Sequence, residues 1–300
     1  MAAGVRRVSA EDQAAGNRYE NRYFLVRDGL KLHYRDYPGS DAKPPILCLP
    51  GLTRNSRDFA GLAERCSPRF RVLALEFRGR ADSDYDPLPM RYNRLTYAGD
   101  VIELLDQLGI GEAIFVGTSL GGLVTMTVAA TAPQRIAAAI LNDVGPELSD
   151  VGLDRIRTYV GGDVRFDSWD EAAKRIAANN HHVPAAYTHD DWVEMARRVC
   201  REDDGIIRFD YDMAIALPFE TAGPAPAIDM WPLFQALGQK PLLVLRGGVS
   251  DLLSAEALDK MKAAVPNMKS VTVGGVGHAP ELNEPEAVAA IERFLDEIAP

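Results

Sequence analysis

Ala113-Ile114-Phe115-Val116-Gly117-Thr118-Ser119-Leu120-Gly121-Gly122-Leu123-Val124-Thr125-Met126 is the stretch on which the reading of this chain turns. An apolar run leads into G-x-S-x-G, and a second apolar run leads out. The pattern predicts a buried strand, an abrupt turn and a helix. A serine at the centre of that turn is raised above the sheet edge, with a helix N-terminus beneath it. The flanking Gly117 and Gly121 are needed because a side chain at either position would collide across so sharp a bend. Ser119 is therefore a candidate nucleophile.

Working outward, the chain alternates between short apolar runs and helical periods. Two β-rich runs at 23–26 and 30–34 flank Asp28-Gly29, a hairpin signal. Strands are expected at 46–49, 71–77, 113–116 and 137–142, with helices at 57–66, 95–108 and 120–131 between them. From about Pro146 to Trp231 the alternation breaks. Helical patterns at 153–159, 169–179 and 192–201 follow one another there with no strong buried strand between them. Strand and helix then resume at 241–245, 254–264, 270–273 and 285–298, the last opening on Pro285. The expected fold class is α/β: a mostly parallel, doubly wound sheet with an inserted helical cap. Residues 1–145 and 232–300 form the core and 146–231 the cap, with 1–18 polar enough to be a mobile tail.

Composition removes several function classes. The 300 residues carry a net charge of −10, which gives no general attraction to nucleic acid or to anionic membranes. No apolar run is long enough to span a bilayer, and the N-terminus lacks the apolar segment of a secretory signal. Cys48, Cys66 and Cys200 are odd in number and widely spaced, which fits free thiols in the cytoplasm better than disulfides or a zinc site.

A serine hydroxyl needs a base to take its proton, and the base needs an orienting acid. After a strand–serine–helix turn those partners are expected in the order acid, then histidine. Asp251 follows the strand ending Leu245-Arg246-Gly247-Gly248, and His278 follows Val273-Gly274-Gly275-Val276-Gly277. Both fall in loops at the C-terminal ends of parallel strands, the edge from which Ser119 emerges. Asp143 also ends a strand, and it is the alternative acid in a rearranged triad. Backbone N–H groups of Leu120, just after the serine, and Leu52, in Leu49-Pro50-Gly51-Leu52-Thr53, are the expected oxyanion donors.

With these motifs in place, the chain resembles the α/β-hydrolase superfamily, in its capped, esterase-like serine hydrolase branch. The resemblance extends from Tyr23 to Ile298 and rests on Gly117–Gly121, Pro50-Gly51-Leu52, Arg78-Gly79 with Ser83, Asp251 and Gly277-His278. Two motifs depart from the family pattern. Pro50-Gly51 stands where His-Gly is frequent, and Glu76-Phe77-Arg78-Gly79-Arg80-Ala81-Asp82-Ser83 where Asp-x-Arg-Gly-x-Gly-x-Ser is frequent. The second places Arg80 near the cleft. The resemblance implies cleavage of a small or medium carboxylic ester through an acyl-enzyme, with a small-molecule ester-like substrate as partner and no metal or organic cofactor. Lactone or carbon–carbon bond cleavage on the same triad, and ligand reception without catalysis, are the competing expectations. Ala279-Pro280 after the histidine weakens the carbon–carbon reading, and a serine nucleophile argues against dehalogenase and epoxide hydrolase chemistry.

Other features have plainer readings. Gly117–Gly122 lacks the Lys of a phosphate loop, and Ser119 fills the position where a dinucleotide fingerprint needs glycine. His181, His182 and His189 lack metal-site spacing, and His33 reads as an ordinary strand residue. Arg54, Arg57, Arg78 and Arg80 are expected to pair with Glu76, Asp58, Asp82 and Asp84. Arg54 is the one placed to meet a substrate carboxylate. Trp231 and Phe234 are candidates for lining the substrate pocket.

Overall fold

The computed structural model describes residues 18–180, 187–218 and 229–299. The expected N-terminal tail falls almost wholly outside the described residues. The chain opens with an antiparallel hairpin of β1 (Glu20–Leu25) and β2 (Lys31–Tyr37), as Asp28-Gly29 predicts. β3 (Ile46–Leu49), α1 (Ala60–Cys66), β4 (Val72–Leu75), α2 (Arg94–Gln107), β5 (Ala113–Thr118), α3 (Leu120–Thr131) and β6 (Ile136–Asn142) follow. Next come α4 (Asp150–Tyr159), β7 (Arg165–Phe166), α5 (Trp169–Asn179), α6 (His189–Val199), β8 (Cys200–Asp203) and β9 (Ile206–Phe209). The chain closes with α7 (Trp231–Leu237), β10 (Leu242–Gly247), α8 (Ala255–Ala264), β11 (Lys269–Val273) and α9 (Pro285–Ile298).

The main sheet has eight strands in the order β1-β2-β4-β3-β5-β6-β10-β11. β2 runs antiparallel to β4, and every pairing from β4 to β11 is parallel. Alternation along each strand sends side chains to two separate cores. Leu47, Leu49, Phe115, Leu141 and Val244 pack with α2, α3, α7 and α8 on one face. Ile46, Cys48, Ile114, Ile140 and Leu245 pack with α1 and α9 on the other. Helices on both faces are why these strands read as continuous apolar runs.

The segment between β6 and β10 differs from the all-helical expectation. It holds α4, α5 and α6, but also a three-stranded antiparallel ribbon in the order β7-β9-β8. The ribbon forms because Asp204 and Gly205 both take positive φ, 52° and 78°. Such a two-residue turn matches the twist of an antiparallel pair, so the chain folds back after Asp203 instead of prolonging α6. Phe166, Ala172, Ile176, Met195, Val199 and Ile207 give the segment a small core of its own.

Polar bonds fasten this segment to loops at the C-terminal edge of the main sheet. Asp210 receives Arg57 Nη2 at 2.6 Å, and the Arg198 carbonyl accepts from Arg57 Nε and Asn55 Nδ2 at 2.7 and 2.9 Å. Backbone bonds Ala81 N–H to Asp210 O and Asp212 N–H to Gly79 O complete the attachment. These bonds hold the segment against the loops at that edge.

Candidate active site

Ser119 joins β5 to α3 with φ 52° and ψ −114°, a conformation that L-residues adopt only when their surroundings enforce it. Its N–H is bonded to the Asn142 carbonyl at 3.0 Å, and its carbonyl accepts from Gly122 and Leu123. The glycines permit the bend by close approach. A Cβ at Gly121 would lie 2.0 Å from the Leu49 carbonyl oxygen, and one at Gly117 would lie 2.6 Å from the Gly121 backbone.

His278 follows β11 in a loop pinned to its neighbours. Val249 N–H bonds the Val276 carbonyl at 3.0 Å, and Asn142 Nδ2 donates to the Pro280 carbonyl at 2.8 Å. The imidazole is thereby presented to Ser119, with Nε2 standing 3.0 Å from Oγ. Its other nitrogen, Nδ1, lies 2.7 Å from Oδ2 of Asp143. A carboxylate only accepts, so Nδ1 carries the proton and Nε2 is left to accept the serine O–H.

The structure places Asp143, and not the expected Asp251, beside the imidazole. Asp143 directly follows β6, takes φ 54° and is wholly buried. Its carboxylate also accepts from Gly247 N–H at 2.7 Å and Ser250 Oγ at 2.5 Å. In the loop after β10 it is Ser250, not Asp251, whose side chain reaches this carboxylate. Asp251 is gripped instead by the fork of Arg155 from α4, Nε to Oδ2 and Nη2 to Oδ1. Asp143 follows Asn142, the last residue of β6, and its place at a strand end is the sequence signal that points to it.

Above Ser119 lies a cavity of about 390 Å³. Ile156, Met195, Val199 and Phe209 supply apolar wall, and Arg54, Arg155, Tyr159 and Arg198 supply polar wall. Leu52 lines the cavity beside Gly51, and its carbonyl accepts from Arg80 Nε at 2.9 Å. Leu120 is the first residue of α3, so its N–H belongs to the helical turn that has no intrahelical acceptors. Arg54 lines the cavity as expected and holds Asp58 through Nε and Nη2 at 2.6 and 2.7 Å.

Trp231 and Phe234 require correction, because neither lines the cavity. Phe234 is fully buried in the core against α3, and Trp231 Nε1 donates to Glu147 at 3.0 Å. The arginine pairings also differ from expectation beyond Arg54–Asp58. Arg57 reaches Asp210, and Arg78 is enclosed by Asp28, Asp86 and Asp100. Arg80 bonds the carbonyls of Leu52 and Arg78 and the Tyr97 hydroxyl.

Of the remaining histidines, His189 pairs with Asp170 on an exposed face, while His181 and His182 lie outside the described residues. His33 is buried in β2 with Nδ1 2.9 Å from Glu76 and Nε2 2.9 Å from Asn21. His33, Glu76 and Asp82 form the group of metal-ligand type found among the described residues. The Glu76 carboxylate there already accepts from Ser56 Oγ and Asp82 N–H, and Asp82 itself is exposed. The three cysteines are free and buried. Among the described residues no helix is long and apolar enough to cross a membrane.

This sheet order, with a serine on the turn after β5 and a histidine after the last strand, defines an α/β hydrolase architecture. A sequence model of the alpha/beta hydrolase fold family matches residues 44–285, and the chain belongs to that family. It is 31% identical over 278 residues to a 3-hydroxybutyrate-oligomer hydrolase of Cupriavidus necator, covering 88% of this chain and 92% of that protein. It is 30% identical over 256 residues to a 2-(acetamidomethylene)succinate hydrolase of Mesorhizobium japonicum, covering 84% and 88%. The crystal structure of an alpha/beta hydrolase from Novosphingobium aromaticivorans superposes with a TM-score of 0.88 at 51% identity, covering 93% and 98%. The chain is thus a hydrolase of this family.

Proposed function

We propose that the chain is a serine hydrolase that cleaves small or medium carboxylic esters through an acyl-enzyme. The observation that carries this reading is the hydrogen-bonded line Ser119 Oγ, His278 Nε2, His278 Nδ1, Asp143 Oδ2, with spacings of 3.0 and 2.7 Å. As Oγ attacks the ester carbonyl, its proton passes to Nε2, and the buried Asp143 carboxylate favours the imidazolium that results. The oxyanion is received by the N–H groups of Leu52 and Leu120. Nε2 then gives its proton to the departing alcohol. Water attacks the acyl-enzyme with the same imidazole as base, releasing the acid and restoring Ser119.

The segment between β6 and β10 acts as the cap that shapes the pocket. The compounds named for the C. necator and M. japonicum relatives are a hydroxy-acid oligomer, held together by ester bonds, and a succinate. Both compounds are carboxylic acids. Three buried thiols suit a reducing compartment, and we place the protein in the cytoplasm.

Labelling with a fluorophosphonate tests the mechanism. The native protein gains one covalent adduct on Ser119, and Ser119→Ala takes up none. The same substitution lowers ester turnover by roughly 10⁴-fold or more with an unchanged melting temperature. Ester hydrolysis retained in Ser119→Ala overturns the reading.

A further inference from the structure

The cavity above Ser119 is lined by the arginines Arg54 and Arg155. A Cβ at Gly51 would lie 3.3 Å from Arg54 Cγ and 3.8 Å from Ser119 Cβ, so the stem of Arg54 runs beside the serine. Arg155 enters from α4, and Tyr159 stands one turn further along the same helix. Both Arg54 and Arg155 act electrostatically on the Tyr159 hydroxyl, whose pKa burial pushes up, so that it stays a neutral hydrogen-bonding group. The side chains of Arg54 and Arg155 are only 28% and 22% exposed.

Withdrawing guanidinium groups from water is costly, and each needs a compensating partner. Asp58 and Asp251 provide that partner and also fix orientation. A bidentate carboxylate takes two of the five N–H donors of a guanidinium; Arg155 also bonds the Tyr159 hydroxyl, and its remaining donors are left for a further acceptor. Beyond Asp58, the acidic side chains of the wall are engaged by other groups. Glu281 is paired with Arg198 at 2.7 Å, and Glu284 accepts the N–H groups of Glu281 and Asn283 at 2.8 and 3.1 Å. The wall is close to neutral overall, so it selects by directed donors rather than by net field. The acceptor that suits a fixed guanidinium beside a second one and a phenol is a carboxylate.

We infer that the substrate bears a free carboxylate apart from the bond that is cleaved, and that Arg155, held in place by Asp251 and assisted by Tyr159 and Arg54, receives it. The inference rests on the ester-hydrolase reading above. It also gives Asp251 a role: a positioning residue for recognition, not the acid of the triad.

Two probes that differ in one group test it: the ester dimer of 3-hydroxybutanoic acid, and the same dimer with its terminal carboxyl converted to a primary amide. The native protein is expected to show kcat/KM at least about 10-fold higher for the acid, with the difference in KM. Arg155→Gln removes about 10-fold or more of that preference. Arg155→Lys, which keeps the charge without the fork, loses part of it. Arg157→Gln, on the exposed side of α4 and paired with Asp154, keeps it. Melting curves identify any variant that fails to fold, and the native comparison decides the matter independently of the variants. Equal kcat/KM for acid and amide in the native protein, or a preference untouched by Arg155→Gln, overturns the inference. p-Nitrophenyl acetate separates the two readings. If the native protein cleaves it without preferring the acid dimer, only this inference falls. If no ester is cleaved at all, the ester-hydrolase reading falls and takes this inference with it.

Discussion

The carboxylate of Asp143 lies 2.7 Å from Nδ1 of His278, although 135 residues separate them in the chain. The contact exists because β6 and β11 flank β10 on its two sides, which brings their C-terminal ends together over a single strand. Asp143→Asn keeps the shape but removes the charge that favours the imidazolium and the correct tautomer. Its kcat for p-nitrophenyl acetate is expected to fall on the order of 10³- to 10⁴-fold. Asp251→Asn loosens Arg155 and costs far less on that neutral ester. Steady-state kinetics of the two variants decide between the aspartates, and a larger loss from Asp251→Asn would return the acid role to the β10 loop.

Sequence and structure agree most closely where local pattern and global packing ask for the same thing. The run from Ala113 to Thr131 shows its strand, bend and helix in sequence because close contacts demand its glycines: Gly117 meets the Gly121 and Gly122 backbone, Gly121 the Leu49 carbonyl and Gly122 the Val144 side chain. The two aspartates were harder to separate. Both follow parallel strands, and only the loop path decides which carboxylate meets the histidine: Ser250 turns in to Asp143, whereas Asp251 meets Arg155. Cys200–Phe209 went unread as a hairpin because the helical period of α6 runs up to it, although Asp204-Gly205 is the same kind of turn signal as Asp28-Gly29. Trp231 and Phe234 were placed by their position after the break in pattern, and position along the chain says nothing about which way a side chain faces.

Gly121 tests how tightly the bend is packed. An added methyl would meet the Leu49 carbonyl oxygen at 2.0 Å and its carbonyl carbon at 2.6 Å, and these backbone atoms are fixed in β3. Gly121→Ala is expected to destabilise the fold by about 3 kcal/mol or more and to abolish turnover. Urea unfolding provides the measurement. A variant as stable as the native protein would show that the turn relaxes easily.

Glu76 makes stability depend on acid. Burial alone would raise its pKa, but His33, Arg57 and the Ser56 hydroxyl outweigh that and hold it at about 2, against an ordinary 4.5. A carboxyl lowered on folding stabilises the native state above its unfolded pKa, and that stability is lost as protonation proceeds. The Glu76 contribution is therefore complete above about pH 4.5 and declines as pH falls toward 2. Glu76→Gln is expected to cost about 3 kcal/mol at pH 7 and to flatten the decline below pH 4.5. Urea midpoints across that range check both, and parallel curves for the two proteins would remove the assignment.

Arg80 ties the proposed oxyanion loop to the rest of the site. It is fully buried, with Nε donating to the Leu52 carbonyl at 2.9 Å and Nη1 to the Arg78 carbonyl and Tyr97 hydroxyl at 2.6 and 2.9 Å. The Leu52 carbonyl shares its residue with the N–H that would face the oxyanion, so the guanidinium sets the direction of that donor from behind. Arg80→Met fills a similar space without donors, and the loop loses its tether. Since the donor matters once charge develops on the substrate oxygen, kcat is expected to fall about 10- to 100-fold while KM changes little. Arg80→Lys should lie between the two, because one ammonium cannot reach three acceptors set for a planar fork. A boronic acid that forms a tetrahedral adduct on Ser119 supplies the second readout: its affinity should drop in step with kcat/KM across the series. If kcat/KM falls while boronate affinity holds, Arg80 supports the fold without directing the oxyanion donor.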